Sequence, residues 1–304
     1  MTIRPFQLPH DLDLMHSLVM EGFEYPDHPE WSVRPDEKES MTDGLQAAKR
    51  MWPVLRVLQI VSPVFRDALR GFLYEEDGKP VGLINFMRQR DEPEWYVANV
   101  TVLPAHRRKG IARQLVDASI AELRNRQAKT ALLEVVDENL PAVQLYQSLG
   151  FEIYSGSVEM DLAAGAAVPE PSLPPGWTMT PVQLFDWQTS LELAKRITPA
   201  DVARYEPPME KRFRSGLIRP VVGKLMNRLG GGASKRFALR SPQGEVTGFT
   251  WLGYRLRAGG VNYAEISLDP AHPELASFTV AHALRTIESL SPGRNIQLLI
   301  EQWQ

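Results

Sequence analysis

An internal repeat constrains the fold of this chain more than any other feature of its sequence. Three pairs of segments carry the repeat in the same order: TIRPFQL (2–8) with TMTPVQL (178–184), FLYEEDGKPVGL (72–83) with FALRSPQGEVTGF (237–249), and LPAHRRKGIA (103–112) with DPAHPELASF (269–278). Their separations along the chain are nearly constant, so a whole domain is repeated rather than a short motif. The sequence therefore predicts two diverged copies of one fold, and a length of 304 residues fits two domains.

The segment between the copies, AAGAAVPEPSLPPG at 163–176, is rich in proline and small residues and nearly uncharged. Such a segment buries little surface and is typical of a semi-extended linker. We therefore predict one domain at 1–162, a linker at 163–176 and a second domain at 177–304. The first domain is net acidic, whereas the rest of the chain is net basic.

Composition excludes several classes of protein and of site. No run of about 18 apolar residues is present, so no transmembrane helix is expected. The first residues lack the cationic and then apolar pattern of a secretory signal, so a cytoplasmic location is expected. The absence of cysteine removes disulfides and thiolate nucleophiles. No two of the six histidines are spaced i, i+4 on one helix with a third ligand, so no metal is expected.

Hydrophobic periodicity gives each copy alternating strands and helices together with one antiparallel hairpin. In the first copy the predicted elements are a strand at 2–8, a helix near 12–20, a helical insertion at 38–69, a hairpin of 72–76 with 80–87, a strand at 96–102, a helix at 110–125, a strand at 131–136, a helix at 140–149, and closing strands at 151–154 and 157–162. This order predicts an α/β (α+β) fold with a mixed central sheet flanked by helices.

The segment that follows the strand at 96–102 has the chemistry of an anion site. Arg107, Arg108 and Lys109 precede Gly110 and the start of an amphipathic helix. A helix start presents free N–H groups and the positive end of the helix dipole. Gly110 permits a phosphate to approach the backbone closely, and the cations add attraction. Taken alone, the three cations also fit a solvated charge run.

Two motifs resemble those of the GNAT superfamily of N-acetyltransferases. Residues 100–112, with the pattern Arg-x-x-Gly-x-Ala beginning at Arg107, are similar to its acyl-CoA pyrophosphate loop. Residues 132–152 (LLEVVDENLPAVQLYQSLGFE) resemble the strand and helix that follow, and come closest to the branch that acetylates protein N-terminal amines. The resemblance covers residues 2–162 and reaches the remainder through the repeat. It implies two tandem GNAT-like acyl-CoA N-acyltransferase folds.

The resemblance also implies that acetyl-CoA is the co-substrate and binds where the strand at 96–102 splays from the strand at 131–136. The residues implied in binding it are Val100, Thr101, Val102, Arg107, Arg108, Lys109, Gly110, Ile111, Ala112, Arg113 and Asn139. The valines and threonine would bond the pantetheine through their main chain, and the loop would bond the pyrophosphate through N–H groups. Asn139 precedes Leu140-Pro141 and is also a natural N-cap.

Two side chains are candidates for catalysis. A protonated amine must lose a proton before it attacks a thioester. Glu134, within an otherwise apolar strand, occupies the position that accepts this proton in the N-terminal-amine branch; an ordered water is the alternative base, and Glu134 could simply face solvent. Tyr146 occupies the position that protonates the departing thiolate in the superfamily, although its spacing from Ala142 and Leu149 also fits a core role.

The second copy keeps the frame of the loop but not its charges. The residues that correspond to those from Arg107 to Gly110 are Pro273, Glu274, Leu275 and Ala276. Proline removes an N–H donor and glutamate repels phosphate, so we expect a degenerate copy that does not bind CoA through this loop. The copy also stops where the tyrosine-bearing helix would begin. A truncated chain, a segment of the first domain, or a second chain in a homodimer would each account for this.

Two charged regions bear on partners. The loop at 21–40 lies where GNAT enzymes build the substrate side of the cleft, and four of its acids could hold a cationic amine: Glu21, Glu24, Asp27 and Glu30. A solvated acidic loop is the alternative. Residues 210–240 are rich in lysine and arginine and could bind nucleic acid or an acidic protein, or form the partner surface for the acidic first half. Few aromatics interleave with these cations, so nucleic acid is the less expected partner.

The sequence therefore predicts an acetyl-CoA-dependent N-acetyltransferase that acts by direct attack in a ternary complex. Its acceptor would be a primary amine, on a small molecule or a peptide N-terminus, with no membrane involved. The tandem arrangement also resembles the mycothiol-synthase type, whose acceptor is a cysteinyl amine on a sugar. The alternatives are a non-catalytic acyl-CoA-binding sensor, and a nucleic-acid-binding regulator that uses the basic C-terminal half.

Overall fold

The structure is a computed structural model. It describes residues 1–61, 63–88, 93–214 and 218–301. Contacts divide the chain into two compact units, the first comprising Met1–Lys38 and Leu45–Glu152 and the second comprising Glu39–Gly44 and Ile153–Gln304. Within the described ranges, no helix is both long and apolar enough to cross a membrane.

The first half of the chain contains five strands and five helices in its described part. In chain order these are β1 (Thr2–Pro5), α1 (Leu12–Gly22), α2 (Pro35–Val61), α3 (Pro63–Arg66), β2 (Arg70–Glu76), β3 (Lys79–Arg88), β4 (Glu94–Val102), α4 (Ile111–Asn125), β5 (Thr130–Leu133) and α5 (Leu140–Ser148). The strands form one sheet in the order β1-β2-β3-β4-β5, antiparallel except for the parallel β4–β5 pair. The predicted hairpin, and the helices predicted at 110–125 and 140–149, are confirmed to within a residue or two.

Side chains that alternate along β3 explain how the sheet is covered. Ile84 points into a core formed with Leu115 and Leu123 of α4, whereas Leu83 joins a second core that includes Leu18 of α1. Ile84, Leu83 and Leu115 are fully buried. Truncating any of these to alanine would cost about 2–5 kcal/mol. The sheet therefore lies between α4 on one face and α1 on the other.

The second half of the chain repeats this order. Its elements are β6 (Ser157–Leu162), β7 (Thr178–Pro181), α6 (Gln188–Ile197), α7 (Ala200–Tyr205), α8 (Glu210–Phe213), α9 (Ile218–Leu229), β8 (Gly232–Arg240), β9 (Val246–Arg255), β10 (Asn262–Leu268), α10 (Ala276–Leu290) and β11 (Ile296–Glu301). The strands β7 to β11 reproduce the order and directions of β1 to β5, with a parallel pair at β10–β11. The predicted fold, a mixed sheet flanked by helices and present twice, is confirmed.

The strand predicted to close the first copy is instead part of the second sheet. Residues Ser157–Leu162 form β6, which pairs antiparallel with β11, Leu162 opposite Ile296 and Ser157 opposite Glu301. The physical reason is that β11 would otherwise be an unpaired edge, and β6 supplies its partner. The second sheet is thus completed by a segment that was predicted to belong to the first domain, which is one of the three alternatives.

Because β6 pairs with β11, the boundary between the two units lies earlier in the chain than the predicted domain boundary. The contacts divide after Glu152, whereas the predicted first domain extends to residue 162. Residues 151–154, also predicted as a strand, form no strand. The extended pattern at 157–162 is real, but the sequence does not specify which sheet it joins.

Candidate active site

A bulge in β4 opens one side of the first sheet. Asn85 of β3 lies opposite Asn99, but the next residue, Phe86, lies opposite Val97, which leaves Ala98 without a partner. The parallel pairing of β4 with β5 stops at Val97, immediately before the bulge. In the described part of the chain, residues 99–102 thus pair with β3 alone, and a bulge bends the strand that carries it. Pairing between β4 and β5 therefore ends where the cleft is predicted.

The loop after β4 presents a row of main-chain donors. Arg108 has a φ of 65° and Gly110 a φ of 76°. Two residues of the loop thus have a left-handed backbone conformation just before α4 begins. The N–H of Arg107 donates to Pro104 (3.2 Å), and the next N–H along the chain that reaches a carbonyl is that of Gln114, which donates to Gly110 (3.2 Å). Among the described residues, the N–H groups of 108–113 therefore have no main-chain acceptor, and unbonded N–H groups at a helix start are an arrangement that binds anions.

The predicted cations of this loop have different environments. Lys109 lies 3.6 Å from the carboxylate of Glu76, and Arg113 donates to Ser148 (2.6 Å). Arg108 is exposed and has no ion-pair partner among the described residues. Arg107 donates to main-chain carbonyls, as described below. Of the four, Arg108 is therefore the side chain most available to a bound anion.

The three predicted β4 residues lie along the open edge of the bulged strand. The carbonyl of Val102 accepts from Arg107 Nε (3.1 Å), and Val100 packs against the α4 core. Among the described residues, the buried Oγ1 of Thr101 has no hydrogen-bond partner, and it lies against Gly22 at the end of α1. A side chain at position 22 would clash with Thr101, so glycine is required there.

Tyr146 lies on α5, whose start is fixed as predicted by the N-cap Asn139. The Asn139 side chain accepts from the N–H of Ala142 (3.4 Å). Tyr146 is 9% exposed and packs edge-on against Phe151, with ring centroids 5.8 Å apart. Burial, and to a lesser extent the neighbouring Tyr25, raise the pKa of Tyr146 to about 12. Its phenol therefore keeps its proton at neutral pH.

Glu134 lies just beyond the end of β5, which is shorter than the predicted strand at 131–136. The strand ends at Leu133, and Glu134 is exposed. Burial raises the pKa of Tyr96 on β4, and the charge and hydrogen bond of Glu134 raise it further. Glu134 and Tyr96 thus form a hydrogen-bonded pair at the point where β4 and β5 separate. The sequence analysis did not single out Tyr96, because its place on an alternating strand gives no chemical signal.

The acidic segment after α1 is organised around aromatic rings. Glu21, Glu24 and Asp27 are exposed, and the side chain of Glu30 lies outside the described residues. The ring of Tyr25 contacts Trp31 edge-on at 5.8 Å, and His28 stacks on Trp31 at 3.8 Å. The charge of Tyr25 also acts on Tyr146, so the two phenols lie near each other. The spacing of aromatic residues in EYPDHPEW was the available signal.

Comparison with known proteins identifies this part of the chain. Residues 24–151 match the family described as acetyltransferase (GNAT) family. These residues form a GNAT acetyltransferase domain. The match spans most of the acidic segment, the bulged strand, the loop after β4 and the helix that carries Tyr146.

Three further similarities place the GNAT domain in a wider context. The chain is 40% identical over 82 residues to a mycothiol acetyltransferase of Thermobifida fusca, which covers 27% of this chain and 21% of that protein. It is 43% identical over 53 residues to a ribosomal-protein alanine N-acetyltransferase of Escherichia coli, covering 17% and 36% respectively. These matches span well under two thirds of either relative. A tandem GNAT protein from the clavulanic acid biosynthesis pathway aligns over 98% of this chain and 89% of its own, at a TM-score of 0.58 and 15% identity, which shows the tandem fold.

The second copy lacks the open strand edge of the GNAT domain. Ala264 corresponds to Ala98 in the repeat, but it pairs with Leu252 in a register without a bulge. The pairing of β10 with β11 extends to Ile266 and Ile300. It thus continues beyond the position that corresponds to the end of the β4–β5 pairing in the first sheet. The splayed cleft is therefore closed by continuous pairing in this copy.

In the second copy, several main-chain N–H groups of the corresponding loop donate to acceptors within that loop. The N–H of Leu275 donates to His272 (3.1 Å) and the N–H of Ala276 donates to Pro273. The N–H of Ala271 is taken by the carboxylate of Asp269 (2.9 Å). Since these groups are satisfied within the loop, they are not available to a phosphate. That the second copy does not bind CoA through this loop stays a prediction.

Several cations of the basic segment at 210–240 are held within the second unit. Arg212 is buried and bonds to Glu206 (2.5 Å), while Arg236 donates to the carbonyl of Gln183 (2.8 Å) and Arg240 to that of Gly244 (3.1 Å). The carboxylate of Glu206 offsets the charge of Arg212, whereas the other two contacts orient Arg236 and Arg240 without changing their charge. Among the described residues, no group of three or more histidine, aspartate or glutamate side chains is arranged to hold a metal ion.

Proposed function

We propose that the GNAT domain transfers an acetyl group from acetyl-CoA to a primary amine by direct attack in a ternary complex. The observation that carries this proposal is the coincidence, on one sheet, of the strand opening at Ala98, the free N–H groups of residues 108–113 and the buried Tyr146. The family match supports acyl transfer as the chemistry. The absence of cysteine removes the commonest nucleophile for a covalent acyl-enzyme route.

The residues present fit acetyl-CoA. The N–H groups of residues 108–113 would hold the pyrophosphate, with Arg108 nearby as an exposed cation. A side chain placed at Gly110 would meet no atom within 4 Å, so the loop is open where the pyrophosphate would lie. The open edge of β4 from residue 98 to residue 102 would bond the pantetheine amides. Asn139 would lie close to the cofactor while it caps α5.

Acetyl-CoA supplies a thioester carbonyl and a thiolate leaving group. The chain has to remove one proton from the attacking amine and deliver one to sulfur. Glu134 takes the first, because its carboxylate lies at the separation of β4 and β5 and Tyr96 orients it. Tyr146 delivers the second as the carbon–sulfur bond breaks and the carbon–nitrogen bond forms. Its raised pKa keeps the phenol protonated until the thiolate appears.

The acceptor class is a primary amine, on a small molecule or on a peptide N-terminus. The relatives' names include acetyltransferases of mycothiol and of a ribosomal-protein alanine. Each match covers only part of those proteins, so neither acceptor is carried over to this chain. The exposed acids Glu21, Glu24 and Asp27 favour an acceptor that arrives as a cation.

The proposal is tested by initial-rate kinetics with an accepted amine, with the product mass measured in parallel. Direct attack predicts a product heavier by one acetyl group and double-reciprocal plots that intersect when both substrates are varied. Parallel lines, or an acetylated enzyme trapped in the absence of amine, would contradict the ternary-complex route.

A further inference from the structure

Arg107 binds three main-chain carbonyls that belong to two different segments of the first unit. Its Nε donates to Val102 (3.1 Å), and its Nη2 donates to Gly22 (2.8 Å) and, at 3.4 Å, to Glu24. Its guanidinium carbon also lies 4.4 Å from the centre of the Tyr25 ring. One side chain thus connects the end of β4, the end of α1 and the segment that follows α1.

These contacts use the features in which arginine differs from lysine. The planar guanidinium offers several N–H donors in fixed directions and stacks on an aromatic face, whereas lysine offers a single point charge. The carbonyls of Gly22 and Glu24 lie at and just beyond the end of α1, where helix carbonyls lack partners and a cation is favourable. The chemistry of Arg107 is therefore that of a helix cap and a brace.

We propose that Arg107 is a positioning residue that holds the segment 22–25 beside Tyr146, and that its charge is not what binds the pyrophosphate. This inference rests on the proposed function, since it assigns Tyr146 as the proton donor. Arg107 contacts both Gly22 and Tyr25, and the side chain of Thr101 lies against Gly22. Arg108, the next residue, is exposed and remains the cation of the anion site.

Arg107→Lys separates the two roles, because it keeps the charge and removes the brace. We expect it to lower kcat for the acceptor amine by about tenfold or more, since small displacements of a reacting geometry are costly. The Kd for acetyl-CoA should stay within about threefold of wild type, because the N–H groups of 108–113 and Arg108 remain. Arg124→Lys, at an exposed arginine in the last turn of α4 and away from the loop, is the matched control and should change neither value. An unchanged kcat in Arg107→Lys, or a loss of acetyl-CoA affinity as large as the loss of kcat, overturns the proposal.

Amide hydrogen exchange in the unliganded protein tests the brace without any assay of acetyl transfer. Residues 22–28 should exchange about tenfold faster in Arg107→Lys than in wild type or in Arg124→Lys, because local opening no longer breaks the three hydrogen bonds. Equal exchange in all three proteins contradicts the brace. Faster exchange in a protein that transfers no acetyl group to any amine keeps the brace and rejects the proposed function.

Tyr25→Leu removes the aromatic ring on which Arg107 stacks. It provides a second test of the same contact if Arg107→Lys does not fold. It should raise exchange in the same segment and lower kcat in the same direction. In the double variant the two effects should be less than additive, because both changes break one contact, whereas Tyr25→Leu combined with Arg124→Lys should be additive. Additivity in both pairs would show that Arg107 and Tyr25 act independently, contrary to the proposal.

Discussion

Gly110 and Ala276 occupy equivalent places in the two loops, yet Gly110 has a φ of 76° and Ala276 a φ of −58°. The left-handed turn at Gly110 ends the loop before α4 begins and leaves the first N–H groups of that helix free. The right-handed conformation at Ala276 continues a short 3-10 turn into α10, and the N–H of Ala276 donates to Pro273 of that turn. The same Pro-Ala-His frame therefore precedes an open helix start in the first copy and a closed turn in the second.

Gly110→Glu should abolish acetyl-CoA binding. The change places a carboxylate among the N–H groups of 108–113 and forces a side chain into a left-handed conformation, which costs about 1–2 kcal/mol by itself. Gly110→Ala introduces the backbone cost alone and should weaken binding only partly. Ala276→Glu makes the equivalent change at an exposed position of the second copy and should leave binding unaltered. Calorimetric titration with acetyl-CoA measures all three, and tight binding by Gly110→Glu would place the cofactor elsewhere.

Tyr146→Phe should lower kcat by about 10²-fold or more, the usual contribution of a general acid, with little change in the Kd for acetyl-CoA. Tyr74→Phe, at another buried tyrosine of the same core, is the control and should keep wild-type turnover. Because the pKa of Tyr146 is raised to about 12, it stays protonated through pH 10 and produces no alkaline loss of kcat below that value. Wild-type turnover in Tyr146→Phe would remove this residue from the mechanism.

Gly22→Ala should destabilise the protein by about 1–3 kcal/mol, the usual cost of overpacking. A methyl group at this position would clash with Oγ1 of Thr101, and the Cβ of Thr101 would lie 3.1 Å from it. Thr101→Ala in the same chain removes the clashing atoms and should restore part of the lost stability. The measurement is the urea midpoint of unfolding for the two single variants and the pair. An unchanged midpoint in Gly22→Ala would mean that α1 does not press on β4 as described.

His282 should make the protein less stable in mild acid. It lies on α10 between the rings of Phe237 and Phe278, and its Nδ1 is buried without a hydrogen-bond partner among the described residues. Burial lowers the pKa of His282 below its ordinary value of 6.5. The unfolded chain therefore binds a proton before the folded chain does, and stability present above pH 6.5 is lost as pH falls through the folded pKa.

The loss amounts to about 1.4 kcal/mol for each unit by which the pKa is lowered. His282→Leu removes the group and should flatten this part of the stability profile, measured as urea midpoints between pH 7.5 and pH 5. His10→Gln, at an exposed histidine, should keep the wild-type slope. A slope that is the same in His282→Leu and wild type would show that other groups cause it.

The elements that sequence analysis predicted well are those fixed by local pattern. The hairpin at Asp77-Gly78 and the helix that follows Gly110 were confirmed because turn residues and hydrophobic periodicity act over a few neighbours. The N-cap at Asn139 was confirmed for the same reason. The repeat extended these assignments to the second copy without a separate signal for each strand.

The features that could not be predicted from the sequence depend on contacts between residues that are distant along the chain. Residues 157–162 read as a strand in either sheet, and only the edge of β11 decides which one they join. The bulge at Ala98 has no glycine or proline to mark it, since register between β3 and β4 creates it. Arg107 was grouped with its cationic neighbours because charge alone does not distinguish a phosphate ligand from a brace. The predicted site residues therefore remain proposals, apart from the cap that the structure shows.

The central claim, that the GNAT domain acetylates an amine, is tested most directly by the release of CoA from acetyl-CoA across a panel of amino acids, polyamines, aminoglycosides and peptides. The account predicts acceptor-dependent release with at least one amine class, and loss of that release in Gly110→Glu. Binding of acetyl-CoA without acceptor-dependent release across the whole panel would contradict it and favour a non-catalytic acyl-CoA sensor.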